Sequence, residues 1–284
     1  MRKYNAYLIL ALIIFAVSAC EKEYDGIEVL DEKNIQDYIE KNDLNMTAFG
    51  STGIYYTETK TPTGPEVANN KEIALIYTIR SLDNNSTALD TFTNRYSDFL
   101  GYLAPEGFRI GVKDILKKSD GEIRLIIPSR LAYGRNGNGV IAGNSSVDVT
   151  IKAIDLASLS QYDDSVIRLY MKSNNLTGFS KTSSGLYYKI TDPGTGDQVL
   201  PASELTAQYT AKLFNGNQID SGESYRFYLD DLIKAWQEGL PLLKQGGSIR
   251  LLVPSGLAYG PKGSGPVTPF SCLDFDIKVL AVHK

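Results

Sequence analysis

The sequence predicts an α+β protein in which one module occurs twice, each copy a twisted antiparallel sheet wrapped on a short helix. Three observations carry that prediction. Leu125-Ile-Ile-Pro-Ser-Arg-Leu-Ala-Tyr-Gly134 returns 126 residues later as Leu251-Leu-Val-Pro-Ser-Gly-Leu-Ala-Tyr-Gly260, and Gly53-Ile-Tyr-Tyr56 returns 132 residues later as Gly185-Leu-Tyr-Tyr188. A unit this long is a duplicated domain, because solenoid and propeller repeats run at about 20 to 50 residues. Both copies also alternate apolar and polar residues with the period of two of a half-buried strand, and a helical spacing opens each of them.

In chain order, Arg2 and Lys3 precede an apolar run from Ala6 to Val17. The run is shorter than the roughly 20 residues of a membrane-spanning helix, so residues 1–19 are expected to be a secretion signal. Val17-Ser-Ala-Cys20 resembles the lipobox of bacterial lipoproteins, which implies an acylated Cys20; an ordinary cleaved signal with a chance cysteine is the alternative. Residues 20–30 then form a polar tether, residues 31–157 the first domain and residues 158–284 the second.

Ile35, Tyr38 and Ile39 in the first domain, and Val166, Leu169 and Tyr170 in the second, have the i, i+3, i+4 spacing of a helix face. Asp163 and Asp164 are expected to cap the second of these helices. Strands follow through Ile73, Leu75, Tyr77 and Ile79, then Ile123 to Ile127 and Val147 to Ile151. The second domain matches them with Leu205 to Leu213, Ile249 to Val253 and Leu273 to Val279. Asp231 to Leu243 is expected to be the one internal helix, carrying Leu232, Ile233, Trp236 and Leu240.

The remaining features exclude several classes of function. Acidic and basic residues are interspersed and the net charge is −4, which speaks against a nucleic-acid partner. After Cys20 only Cys272 remains, so packed cores rather than disulfides must stabilise the chain. The single histidine, His283, excludes a histidine-based triad or multi-histidine metal site and is expected on a solvated tail. Gly134 to Gly143 leads into a strand rather than a helix, unlike a phosphate cradle. Asp230 with Asp231, and Asp274 with Asp276, read as solvated surface.

The second half resembles the FKBP-type peptidyl-prolyl isomerases. Gln208-Tyr-Thr210, Ile219-Asp-Ser221, Leu232-Ile-Lys-Ala-Trp236, Val253-Pro-Ser-Gly-Leu-Ala-Tyr-Gly260 and Leu273-Asp-Phe-Asp-Ile277 occur in the family's order with compatible spacing. The resemblance implies an apolar pocket for a prolyl ring, with Trp236 as floor and Ile219, Tyr225, Leu232, Ile233, Val267 and Phe275 around it. It implies further that Tyr209, Asp220, Trp236 and Tyr259 carry the reaction, with the Ile233 amide and the Tyr259 hydroxyl donating to substrate carbonyls. No metal, nucleophile or cofactor is required. From the residues alone, a core tryptophan and a turn-forming Asp220 stay open as alternatives.

In the first half Tyr77, Asp90, Phe108, Tyr133 and Ile141 align with this set, and the tryptophan is missing. Phe108 aligns with it if about two extra residues precede Gly121; Ile110 is the other alignment. Phe270 replaces a small or polar residue common in the family's flap. The resemblance implies proline-containing, unfolded polypeptides as substrates, and the lipobox-like segment ending at Cys20 implies a lipid-anchored location, expected at the outer membrane. Most turnover is expected from the second domain, and the first is expected to be weakened or to bind only. A peptide-binding chaperone without turnover is the alternative function.

Overall fold

The computed structural model describes residues 26–83 and 94–283. The signal segment, Cys20 and Asp90 lie outside the described residues. The first unit contains strands β1 (Thr47–Ala48), β2 (Tyr55–Lys60), β3 (Glu72–Ser81), β4 (Arg95–Phe99), β5 (Gly121–Ile127) and β6 (Val147–Ile154). They form one antiparallel sheet in the order β1-β2-β5-β6-β3-β4. In the second unit β7 (Ser180–Lys181), β8 (Tyr187–Asp192), β9 (Glu204–Leu213), β10 (Gln218–Tyr228), β11 (Ser248–Val253) and β12 (Leu273–His283) repeat that order with each index raised by six. The sequence repeat is therefore a repeat of topology. His283 closes β12 with its Nε2 2.8 Å from the Thr206 hydroxyl, which corrects its placement on a solvated tail.

Among the described residues four α-helices complete the two units: α1 (Ile27–Lys41), α2 (Glu106–Ile110), α3 (Leu159–Ser173) and α4 (Lys234–Gly239). In each unit the alternating apolar residues of the sheet form one core, closed by α2 in the first and by α4 in the second. The internal helix is shorter than the sequence suggests. Leu232 and Ile233 are extended, and a tight turn at Leu240–Leu242 containing Pro241 follows α4, because proline cannot supply the amide that would continue the helix. Its counterpart α2 was not expected. It runs on as a π-turn over Gly111–Leu116, which absorbs two extra residues: Phe108 lies 13 positions before Gly121, Trp236 only 11 before Gly247.

α1 and α3 are tied to their sheets by buried carboxylates. Asp31 accepts from the Ser129 amide at 2.9 Å and from the Ser129 and Ser146 hydroxyls at 2.8 and 2.9 Å. Asp163 accepts from the Ser255 amide and hydroxyl at 2.8 and 2.6 Å. Asp163 therefore does not cap α3: it sits inside the helix, buried, where the lost hydration raises its pKa. Asp164 is not a cap either, and bonds instead to Lys181 and Tyr187. Ile167 rather than Leu169 faces the sheet, and Leu169 points to solvent.

A second anchor lies about two turns further along each helix. The Tyr38 hydroxyl donates to Asp148, which pairs with Arg124, and the Tyr170 hydroxyl donates to Asp274, which pairs with Arg250. Asp274 is only 3% exposed, so it is part of a buried ion pair and not solvated surface. Such a carboxylate leaves water only because three donors replace its hydration.

The units meet on the outer face of the first sheet. Ala74, Ile76 and Ile154, which alternate away from the first core, bury against Phe270 with Leu156, Leu159 and Tyr162 around them. The equivalent outer positions of the second sheet are Thr206 and Gln208, which remain accessible. Phe270 therefore does not face the pocket beside its flap. Its side chain is turned into the first unit.

Candidate active site

α4 lays Trp236 against the core side of the second sheet, and Gly239 permits the approach, since a Cβ there would lie 3.0 Å from Leu251. The indole is 4% exposed and is ringed edge-to-face by Tyr209 at 5.2 Å, Phe227 at 5.4 Å and Phe275 at 5.6 Å between ring centroids. Edge-to-face packing sets the positive edge of one ring on the negative face of another, which fixes ring orientation beyond simple area burial. Tyr225 stacks on Phe227 at the outer margin and is half exposed. Ile219, Leu232 and Ile233 pack partly buried against the same cluster, and Val267 closes it from the flap.

Phe227 is the residue the sequence reading missed. Tyr225, which that reading placed in the wall, is one ring further out. The signal was available: Tyr225-Arg-Phe227 puts two aromatic residues on one face of β10, and the next apolar position, Leu229, is in the core.

Polar groups border the cluster on one side. The Tyr209 hydroxyl donates to Asp220 at 2.7 Å, while the other Asp220 oxygen accepts from the Ser221 amide at 2.8 Å. Asp220 thus holds the tyrosine from within β10, where it pairs with Ala211, rather than from a turn. Gly222 is required beside it, because a Cβ would lie 2.8 Å from the Tyr209 ring. Burial, reinforced by Asp220, raises the Tyr209 pKa, and burial followed by the Asp220 charge raises that of Tyr259. Both phenols are therefore donors across the physiological range. Tyr259 is 40% exposed, and among the described residues neither the Trp236 Nε1–H nor the Ile233 amide at the start of α4 has a protein acceptor.

The first unit repeats this frame with different contents. Phe108 occupies the place of Trp236 and meets Tyr77 edge-to-face at 5.2 Å, so Phe108 rather than Ile110 is the floor. Pairing registers equate Val149 with Phe275 and the exposed Asp98 with Phe227. Pro105, at the start of α2, stands where Ile233 stands at the start of α4, and has no amide hydrogen to donate. Ile141 is buried like Val267, and Tyr133, with its pKa pushed up to about 12 by burial, lies beside Asn138.

Comparison with known proteins places the second unit. Residues 195–280 match the family described as FKBP-type peptidyl-prolyl cis-trans isomerase. A probable FKBP-type peptidyl-prolyl cis-trans isomerase of Haemophilus influenzae is 43% identical over 107 residues, which cover 36% of this chain and 44% of that protein. The FKBP-type peptidyl-prolyl cis-trans isomerase FkpA of Buchnera aphidicola is 40% identical over 121 residues, or 40% of this chain and 48% of that one. The chain thus spans less than half the length of these relatives. Among solved structures, that of FkpA from Escherichia coli is 30% identical, covers 45% of this chain and 62% of that chain, and has a TM-score of 0.40.

Proposed function

Because residues 195–280 form an FKBP-type domain, we propose that the second unit is a peptidyl-prolyl cis-trans isomerase acting on proline-containing, unfolded segments of exported proteins. The observation that carries the proposal is the Trp236 ring nest bordered by donors that lack protein acceptors. Rotation about an X-Pro bond must overcome a barrier of about 18 to 20 kcal/mol that amide resonance maintains. As the bond twists, resonance is lost and the amide becomes less polar. Tyr209, Phe227, Trp236 and Phe275 hold the prolyl ring in an apolar setting that favours the twisted amide over the planar one. The Ile233 amide and the Tyr259 hydroxyl fix the flanking carbonyls, and Asp220 keeps Tyr209 in place. The cycle needs neither a nucleophile nor a proton transfer.

The first unit is proposed to bind such segments weakly, since Pro105 removes the amide donor and two of the four rings are absent. Lipidation at Cys20 and attachment to the outer membrane are proposed from the lipobox-like Val17-Ser-Ala-Cys20. Incorporation of labelled palmitate that disappears in Cys20→Ala tests the anchor.

Turnover is tested with a proline-containing tetrapeptide and the variants Trp236→Ala, Asp220→Ala and Tyr259→Phe, with far-UV circular dichroism as the control for folding. Loss of rate by about 10²-fold in Trp236→Ala, with smaller losses in the other two, is the expected result for a pocket that acts by differential binding. An inactive parent that still suppresses aggregation of an unfolded protein would replace the enzyme with a peptide-binding chaperone.

A further inference from the structure

The flap of the second site, residues 259–270, joins Tyr259 to Val267 and ends at Phe270. The Phe270 amide donates to the Gly260 carbonyl at 2.9 Å, and Ser264 and Val267 exchange backbone bonds at 2.8 and 2.9 Å. Any force on Phe270 therefore bears on the residue next to Tyr259.

Phe270 has a φ of +42°, the left-handed region that a bulky aromatic residue rarely enters. The tandem repeat shows what that position ordinarily takes. Its counterpart Asn144 has a φ of +59° and makes the same bond, to the Gly134 carbonyl at 2.8 Å, and asparagine tolerates this conformation. The second repeat thus carries a poorly suited residue in a turn the fold fixes, and what that residue gains lies outside its own unit. The Phe270 ring is fully buried against Ala74, Ile76 and Ile154 of the first sheet. Arg95 of the first unit donates to the Pro269 and Phe270 carbonyls at 3.1 and 2.6 Å, and its guanidinium lies 5.1 Å from the ring centroid. Contacts of this kind, ring burial together with charge-assisted bonds to two successive carbonyls, restrain both the side chain and the backbone of the segment.

We propose that the first unit serves as a positioning element for the second site: Arg95 and the Ala74, Ile76 and Ile154 face clamp Phe270, and the clamp holds the flap so that Tyr259 and Val267 meet the substrate. The inference rests on the isomerase reading of the second unit. It assigns the first unit a task that does not require turnover of its own, with Arg95 and Phe270 as positioning residues.

The test uses the full chain with Arg95→Ala, Arg95→Lys and Phe270→Asn. The last gives the flap the residue of the first repeat, which suits the backbone but removes the knob. Two quantities are read: amide hydrogen exchange at Ser264, Val267 and Phe270, and kcat and KM for a proline-containing tetrapeptide. The expected result is exchange faster by about 10-fold or more in Arg95→Ala and Phe270→Asn, as local opening becomes easier. KM should rise about 3- to 10-fold with kcat within about 2-fold, because binding groups are misplaced rather than removed. Arg95→Lys, which keeps the cation and one donor, should recover part of both. Unchanged exchange and unchanged KM in Arg95→Ala overturn the clamp, and that variant decides the matter if Phe270→Asn does not fold. An inactive parent would defeat the isomerase reading instead, and the exchange measurement would still decide whether the first unit holds the flap.

Discussion

The two units share a sheet order, a helix tied down by a buried aspartate and an ion pair under a tyrosine hydroxyl, and they keep Tyr77 and Tyr133 opposite Tyr209 and Tyr259, yet they differ at four positions around the candidate pocket. Asp31, Tyr38, Arg124 and Asp148 are matched by Asp163, Tyr170, Arg250 and Asp274 with equivalent bonds, except that the Ser146 hydroxyl bonded to Asp31 gives way to Cys272 in the second unit. Trp236, Phe275, Phe227 and Ile233 are instead answered by Phe108, Val149, Asp98 and Pro105. The scaffold and the pocket of this fold are therefore separable sets of residues. Folding is specified by the polar anchors and the strand alternation, and the proposed isomerisation rests on the rings and donors laid upon them.

That separation can be broken most forcefully at the anchors. Asp148→Ala and Asp274→Ala should each destabilise the protein by about 3 to 5 kcal/mol, because each strands a half-buried arginine and an unpaired tyrosine hydroxyl. Chemical denaturation measures this, and a large effect in one unit alone would show that the shared anchors are not equivalent. Next in size is Ile233→Pro, which gives the second unit the first unit's missing donor. Ile233 has a φ of −59° that proline accepts, Leu232 before it is extended, and the amide has no protein acceptor to lose. The melting temperature should hold while kcat/KM falls about 10-fold, the value of one substrate hydrogen bond. A pocket indifferent to that change would not use the amide.

A smaller effect is expected of Trp236→Phe, which imitates Phe108 at the floor. Its indole N–H has no partner to strand, so the loss should be confined to packing, with kcat/KM lowered about 3- to 10-fold. Phe108→Leu should leave turnover unchanged within about 2-fold if the second unit supplies it. The smallest effect is that of alkaline pH. Tyr209 and Tyr259 both titrate above the ordinary tyrosine value of about 10, so both remain donors below it and the rate should be flat between about pH 6 and 10. By linkage, a phenol whose folded pKa is raised contributes fully below its unfolded value and loses that contribution as the pH rises through the folded one. Alkaline destabilisation should accordingly begin above about pH 10.

Much of this is legible along the chain. The inward strand residues are in the cores, Phe108 packs on Tyr77 as Trp236 packs on Tyr209, and the Tyr209 hydroxyl meets Asp220. A carboxylate is ordinarily solvated, so the residues alone read Asp163 as a cap and Asp274 as surface, and only the chain's long-range pairing supplies Ser255 and Arg250 to replace the water. Tyr225 and Phe227 share a strand face, and which of them lies deeper depends on where α4 packs.

What the sequence determined by itself was the duplication, the alternation of the strands and the ordered aromatic motif, all of which are local in the chain and follow from backbone periodicity. What only the tertiary structure decided was which polar groups are buried, which ring closes the pocket and that Phe270 leaves its own unit for the outer face of the other. Those outcomes depend on which distant surface covers a given side chain, and burial of a residue by a remote neighbour leaves no periodic trace in the residues beside it.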